Sequence, residues 1–360
     1  MRIHAARARP TRLEFARPAR TSRGDFVERR SVIFATDDGD GLTGFGEAAP
    51  WPGFGTESTD DALAALDDVA RLLIGLDIEP GEWPVPIALR LRNAPAARAA
   101  VQGALWDLAA RRARLPLADL LASRGVPFCG AVLREVPVHA LLIENDPVAL
   151  GVEAEGVRAA GFLGAKLKLG TGSHAEDVAR ARAARAGLGP GIRLRGDANG
   201  AWSRRVAEEA LAALEEFGFD YVEQPLPADD VEGLVRLRSR AGVRIAVDES
   251  VSTEEGALSL IAAEAAQVFV LKPATLGGAA RALEIATLVR KAGSEVVFSH
   301  AFESAVGARH ALHCAAAWGD AAALHGLRTD GLFSRDVAEP VDGHGGRVAV
   351  TAAAGLGIAP

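Results

Sequence analysis

The sequence predicts an α/β protein whose larger part is a closed barrel of parallel strands, with a separate α+β unit in front of it. Two observations carry this reading. From residue 136 onward, eight short apolar runs recur with helix-length amphipathic segments between them, at 136–142, 164–169, 192–196, 221–223, 244–247, 267–271, 295–298 and 322–324. That alternation is what a parallel barrel requires. Three successive runs also end in a carboxylate, at Asp197, Glu223 and Asp248, at intervals of 26 and 25 residues. One strand plus one helix fills each interval, so the three acids fall at equivalent places on one rim, the C-terminal face where barrels keep their sites.

Taken in order, the first 90 or so residues have a different texture. They show apolar alternation at 31–36, a Gly/Pro-rich stretch at 39–55 and a helical run at 60–76. Segment 96–113, with Ala104-Leu105-Trp106-Asp107-Leu108 at its centre, is strongly helical and reads as the link into the barrel. Between barrel strands, 175–186 and 203–217 carry alanine and leucine at helical spacing with Arg and Glu on the other face. Segment 337–358 is too long for a loose tail and is expected to return to the first unit. The division is therefore 1–95 for the cap, completed by about 335–360, and 96–334 for the barrel.

Composition bounds the function. With 49% hydrophobic residues, 39 glycines and 18 prolines the chain is globular with ample core. The formal net charge of -7 argues against a nucleic-acid partner, since the arginines are scattered and outweighed by 47 acidic residues. Cys129 and Cys314 lack a CxxC or histidine partner pattern, so both are expected reduced and buried, without a disulfide or zinc site. The N-terminal 15 residues have no apolar signal region and no stretch approaches a membrane span, so a cytoplasmic protein without membrane contact is expected.

Lysine usage is the sharpest local signal. The chain has four lysines against 36 arginines, and Lys166, Lys168 and Lys272 all sit in short apolar strands. A guanidinium stays protonated, whereas a desolvated lysine can surrender its proton near neutral pH. Lys166 and Lys168 alternate onto one strand face, where each like charge is expected to lower the other's pKa.

Three converging carboxylates repel one another unless a cation sits between them. An all-oxygen set suits Mg²⁺, with Mn²⁺ as the alternative, better than zinc. With the lysines flanking that ion, the α-proton of a bound carboxylate substrate would be acidified and taken by a lysine, giving a stabilised enediolate. The partner is therefore a small-molecule carboxylate. Asn199 and Glu249 lie next to these acids and are candidates to orient the ligands.

In Lys166-x-Lys168, Asp197, Glu223, Asp248 and Lys272 the chain resembles the enolase superfamily, muconate-lactonizing subgroup. Its metal-plus-lysine enediolate chemistry is a stated general pattern of that superfamily. The resemblance implies a modified TIM barrel of the (β/α)7β type with an N-terminal α+β capping domain. Two segments, 44–58 (Gly44-Phe45-Gly46-Glu47 through Ser58) and 298–307 (Phe298-Ser299-His300 through Gly307), resemble the o-succinylbenzoate synthase family.

That implies a lyase performing syn dehydration of 2-succinyl-6-hydroxy-2,4-cyclohexadiene-1-carboxylate to o-succinylbenzoate in menaquinone biosynthesis. Lys168 would be the acid/base, Lys166 would position the carboxylate and lower the pKa of Lys168, and Lys272 would stay cationic opposite. Substrate contacts are expected at Gly53, Phe54, Thr56, Ser299 and Glu303, with loops 21–26 and 51–57 closing over the site and His300 as a polar rim residue. The Asp-x-Asp signature of dipeptide epimerases is absent from 321–330. N-succinylamino acid racemase or another cycloisomerase is the alternative activity. A catalytically silent carboxylate-binding barrel is the alternative of a different kind.

Overall fold

The computed structural model describes residues 1–21, 24–124, 130–328, 331–341 and 343–359. The N-terminal unit is an antiparallel sheet of β1 (Ala5–Thr21), β2 (Gly24–Asp37) and β3 (Thr43–Ala48), in that order. The first half of β1 escapes an apolar-pattern search because its inward contacts come from alanines at positions 6 and 8, alternating with arginines, ahead of the buried Leu13 and Phe15. α1 (Thr59–Leu73) starts where the Ser58 hydroxyl accepts the Asp61 N–H and buries Ala62, Leu66, Val69 and Leu73 at helical spacing. α2 (Val85–Arg90) follows.

α3 (Pro95–Ala113) is buried on nearly every face and is accordingly rich in alanine. It lies on the backbone of β3: a Cβ at Gly46 would stand 2.0 Å from the Ala100 carbonyl oxygen, and one at Gly44 2.2 Å from that of Ala104. The helix joins two cores, since Ala100, Ala104 and Leu108 pack with Val32, Phe34 and Leu66, while Trp106 and Ala110 pack with the barrel layer. α4 (Leu117–Ser123) leads to the barrel.

The expected first run divides into β4 (Glu135–Pro137) and β5 (Ala140–Leu142). β5 is followed by β6 (Gly164–Lys168), β7 (Arg193–Asp197), β8 (Phe219–Glu223), β9 (Ile245–Val247), β10 (Val268–Leu271) and β11 (Glu295–Phe298), a parallel sheet in sequence order. One helix follows each of these strands in turn: α5 (Pro147–Ala159), α6 (His174–Leu188), α7 (Arg204–Leu214), α8 (Val231–Arg240), α9 (Glu254–Ala262), α10 (Ala279–Lys291) and α11 (Ala305–Trp318).

The two sheet edges meet on one segment, as His325 bridges Val138 and Gly326 bridges Ser299, both in parallel sense. This closing stave lies just after the expected 322–324. The earlier residues are held by side chains instead of a ladder: Arg193 and Arg195 of β7 donate to the carbonyls of Ala322 and Leu324, at 3.0 and 2.6 Å. The fold is thus the expected capped enolase-type α/β barrel, a seven-stranded parallel sheet curled onto a short eighth segment.

The C-terminal chain divides its contacts. Phe333 bridges Phe15 of β1, β13 (Arg347–Ala349) pairs with β4 on one side and with β12 (Gly343–His344) on the other, and Leu356 donates to Asp107 of α3. Cys314 is a buried free thiol inside α11, whereas Cys129 lies outside the described residues. No helix among the described residues is long and apolar enough to cross a membrane.

Candidate active site

Strand alternation and register build the mouth of the barrel. Lys168 on β6 stands level with Asp197 on β7, and Asp197 with Glu223 on β8, while Lys166 is level with Arg195 and Arg195 with Tyr221 one layer below. Tyr221, Ala246, Val268, Val270 and Val297 form an apolar cluster of their own. Two residues further along those strands, on the same face, come Glu223, Asp248, Lys272 and Ser299. Lys168 and Lys272 therefore sit on strands separated by β7, β8 and β9.

These groups meet in one network. Lys166 Nζ donates to both oxygens of Glu223 at 3.2 and 3.3 Å and lies 3.2 Å from Asp197 Oδ2. Lys168 Nζ donates to Asp197 Oδ2 at 2.6 Å and to Asn199 Oδ1 at 2.8 Å, and Asn199 in turn donates to Glu249 at 3.2 Å. Lys272 pairs with both oxygens of Asp248 and lies 4.3 Å from the centre of the Phe54 ring.

Four carboxyls share three ammoniums in this buried space, and the balance shows in their acidities. Burial raises Glu223, Asp248 and Glu249, reinforced by the neighbouring acids. Asp197 is the exception: burial acts against ionisation, but Lys168 and Lys166 together hold its carboxyl well below the usual range. For Lys166 itself the expected lowering is not the outcome. Burial does disfavour its charge, yet Glu223 and Asp197 outweigh burial and hold the ammonium above its ordinary pKa. Lys272 is likewise raised, against burial, by Asp248 and Glu249.

A cavity of about 430 Å³ opens over this network. It is lined by Lys166, Lys168, Asp197, Asn199, Asp248, Glu249 and Lys272, by Ser299 and His300, and by an apolar wall that includes Trp51, Phe54, Leu141, Ile143, Phe162 and Phe302. The lid loop is a 3-10 turn at Pro52–Phe54 that ends on Gly55 in the left-handed conformation. Phe54 packs on Trp51, and Trp51 on Phe26 and Phe302. Loop 21–26 falls partly outside the described residues. His300 lines the cavity and is held neutral, pushed down to about 3 by burial and then by the three lysines.

Three expected substrate contacts do not line the cavity. Gly53 lies within the lid turn, Thr56 turns inward to accept the Trp51 N–H at 2.5 Å, and Glu303 is fully buried, accepting the Ala301 N–H at 2.7 Å. Glu303 belongs instead to a seam between cap and barrel. There Glu47 accepts from Ser304 N, Ser304 Oγ and Gly307 N at the start of α11. Burial and the Glu47 charge push the Glu303 carboxyl up to about 7.

Several residues were not singled out from sequence. Arg29 donates to the carbonyls of Ala49, Pro50 and Ala301 at 2.7, 2.6 and 3.3 Å, tying the lid to the seventh-strand loop, but one arginine among 36 carries no signal. Gln224, at a φ of 40°, accepts the N–H groups of Asp248 and Ser250 at 3.0 and 3.2 Å and so fixes the exit of β9. Its position directly after Glu223 was the available hint. His139, Phe302 and Arg328 also line the cavity.

The donor set at the strand ends is all oxygen, acidic and in excess over the lysines, which fits a hard divalent cation. Among the described residues no three such side chains are gathered around one point, since lysine ammoniums stand between the carboxylates.

The chain belongs to the enolase superfamily. Residues 149–360 match the enolase C-terminal domain-like family and residues 4–122 the mandelate racemase/muconate lactonizing enzyme N-terminal domain. It is 31% identical over 319 residues, 88% of each chain, to a hydrophobic dipeptide epimerase of Enterococcus faecalis. It is 46% identical over 175 residues, 48% of this chain and 52% of the relative, to an o-succinylbenzoate synthase of Mycolicibacterium smegmatis.

Among solved structures, the Enterococcus faecalis dipeptide epimerase complexed with Mg and the dipeptide L-Leu-L-Tyr superposes with a TM-score of 0.89 at 28% identity over 99% of both chains. The Pseudomonas fluorescens muconate lactonizing enzyme complexed with muconolactone has the same TM-score and identity over 99% of this chain and 96% of its own. The protein is therefore an enzyme of this superfamily, with epimerases, cycloisomerases and o-succinylbenzoate synthases among its relatives.

Proposed function

We propose that the protein is an o-succinylbenzoate synthase: a Mg²⁺-dependent lyase that dehydrates 2-succinyl-6-hydroxy-2,4-cyclohexadiene-1-carboxylate. Asp197, Glu223 and Asp248 would hold the ion, with Mn²⁺ as a substitute. When bound it would neutralise the charge that develops on the substrate carboxylate. Lys168 takes the α-proton and returns it to the departing hydroxyl on the same face, so the C–H and C–O bonds break, water leaves and the ring becomes aromatic. Lys166 positions the substrate carboxylate. The apolar wall, with Trp51, Phe54 and Phe302, keeps water from the carbanionic carbon.

The observation that carries this reading is the fixing of Lys272 between Asp248 and the Phe54 ring. Both contacts favour a permanent ammonium, which suits stabilisation of an enediolate and stacking on a ring better than proton shuttling. The 46% identity to an o-succinylbenzoate synthase over about half the chain supports it.

Racemisation of N-succinylamino acids is the second reading, favoured by the placement of Lys168 and Lys272 on separate flanks of one cavity. The test is turnover of the cyclohexadiene substrate with Mg²⁺ beside deuterium exchange into N-succinylamino acids. Dehydration that survives in part in Lys272→Arg, falls by on the order of a thousandfold in Lys168→Ala and vanishes with chelator supports the lyase. Exchange and inversion without dehydration would replace it with the racemase.

A further inference from the structure

The chain leaves β6 directly after Lys168, and a pair of buried charges on α6 meets it there. The Leu169 N–H donates to the Asp197 carbonyl of β7 at 2.8 Å, so the Lys168 carbonyl, on the other side of the same planar peptide, points toward β5. β5 pairs with β6 only as far as Leu142, opposite Leu167. The Lys168 carbonyl therefore projects past the end of that ladder and needs another donor. Arg180 supplies it: Nη1 donates to the Lys168 carbonyl at 2.9 Å and to Thr171 Oγ1 at 3.3 Å. One turn earlier on the helix, Asp177 Oδ2 accepts the Gly170 N–H at 2.8 Å. Gly170 is in the left-handed conformation, with a φ of 69°, and a Cβ there would stand 2.8 Å from that of Ala201.

Both side chains are buried, at 3% and 4% exposure, and neither lines the cavity. As an ion pair they are poorly matched. Arg180 Nη1 lies 3.6 Å from Asp177 Oδ1, and among the described residues that oxygen and Arg180 Nε have no hydrogen-bond partner. Burial pushes the carboxyl up and the guanidinium down. A pair of this kind adds little net stability over apolar residues of the same volume, so its geometry is better explained by what it grips. We infer that Asp177 and Arg180 are positioning residues for Lys168: from outside the cylinder they fix the backbone of 168–170 and so aim Nζ at its place beside Asp197 and Asn199. The inference rests on the reading of Lys168 as the group that takes the α-proton, which the dehydration and racemisation readings share.

Three variants carry the test. Arg180→Met removes the donor, Arg180→Lys keeps the charge and a single donor group, and the double variant Asp177→Asn/Arg180→Met keeps an acceptor for Gly170 while leaving no unpaired buried charge. Arg185→Met is the control, because Arg185 lies on the same helix but donates to the carbonyls of Phe217, Gly189, Ile192 and Gly218, at 2.7, 2.8, 2.8 and 2.9 Å. Turnover of the cyclohexadiene substrate and deuterium exchange into N-succinylamino acids are measured with Mg²⁺ and normalised to folded protein. Arg180→Met and the double variant are expected to lose about 10 to 100-fold in kcat with KM within about twofold of wild type, and Arg180→Lys to recover part of the loss. Amide hydrogen exchange across 168–171, followed by mass spectrometry, should quicken about tenfold or more in the same two variants. Arg185→Met should leave kcat and this exchange at the wild-type level whatever its melting temperature.

Wild-type kcat in Arg180→Met and the double variant, or an equal loss in Arg185→Met, overturns the inference, as does unchanged amide exchange across 168–171. If the wild type acts on neither substrate while 168–171 loosens as stated, the proposed reaction fails and the clamp on β6 stands.

Discussion

Replacing Glu47 with alanine strikes the joint between cap and barrel without touching the cavity. The carboxylate accepts three hydrogen bonds, from Ser304 N at 3.1 Å, Ser304 Oγ at 2.5 Å and Gly307 N at 2.9 Å, all buried at the first turn of α11. The hydroxyl keeps a second role, since it also accepts the Val306 N–H at 3.2 Å, but the Ser304 and Gly307 N–H groups would be stranded away from water.

Each stranded donor costs about 1 to 3 kcal/mol, so the pair costs roughly 2 to 6. Relief of the repulsion that raises Glu303 offsets part of this, leaving a net loss of about 2 to 4 kcal/mol, a large share of a typical domain stability of roughly 5 to 15. Glu47→Gln keeps one acceptor oxygen and should lose about half as much. The assay is urea unfolding followed by circular dichroism, paired with substrate KM, because α11 anchors the Ser299–Phe302 wall. A Glu47→Ala midpoint equivalent to within about 0.5 kcal/mol of wild type would refute the capping role.

Further expectations follow from the packing and the acidities. Gly46→Ala places a methyl 2.0 Å from the Ala100 carbonyl and should lower stability by about 3 kcal/mol or more, whereas Gly191→Ala, with nothing within 4 Å, should be near neutral; equal melting temperatures would contradict the close approach of α3 to β3. Gln224→Leu removes the acceptor of the Asp248 and Ser250 N–H groups, and calorimetric Mg²⁺ affinity should fall by about 10 to 100-fold with the fold retained.

His313 accepts the Ala118 N–H through Nδ1 at 3.2 Å and is pushed down to about 3, first by burial. Its contribution is present above the ordinary 6.5 and is lost as pH falls toward 3, about 2 kcal/mol by pH 5. Asp107 and Glu303, raised to about 6 and 7 by burial, act in the opposite sense and mask the whole-protein profile. The readout is therefore the difference from His313→Gln: between pH 7 and 5 the wild type should lose about 2 kcal/mol more than the variant, and parallel profiles would count against it.

Much of the barrel was legible because its signals are periodic and local. Matched intervals between Asp197, Glu223 and Asp248 place them at one rim, and β7 to β9 carry them there. The first half of β1 escaped because alanines between arginines make a weak apolar stripe, and the closing stave slipped to 325–326 because Arg193 and Arg195 hold the preceding carbonyls from another strand. Glu303 was read as a contact from the family resemblance of segment 298–307, but a buried carboxyl facing Glu47 and Arg29 is settled by chain segments more than 200 residues away.

The sequence alone determined the order of elements, the strand-end acids and the unusual lysines, because each is written in spacing or composition within a few dozen residues. Tertiary structure decided which carboxylate each ammonium pairs with, which way the resulting pKa shifts run, and how Arg29 and Glu47 fasten cap to barrel. Those outcomes depend on distances between residues remote in the chain, and on how burial and opposing charges balance once they meet.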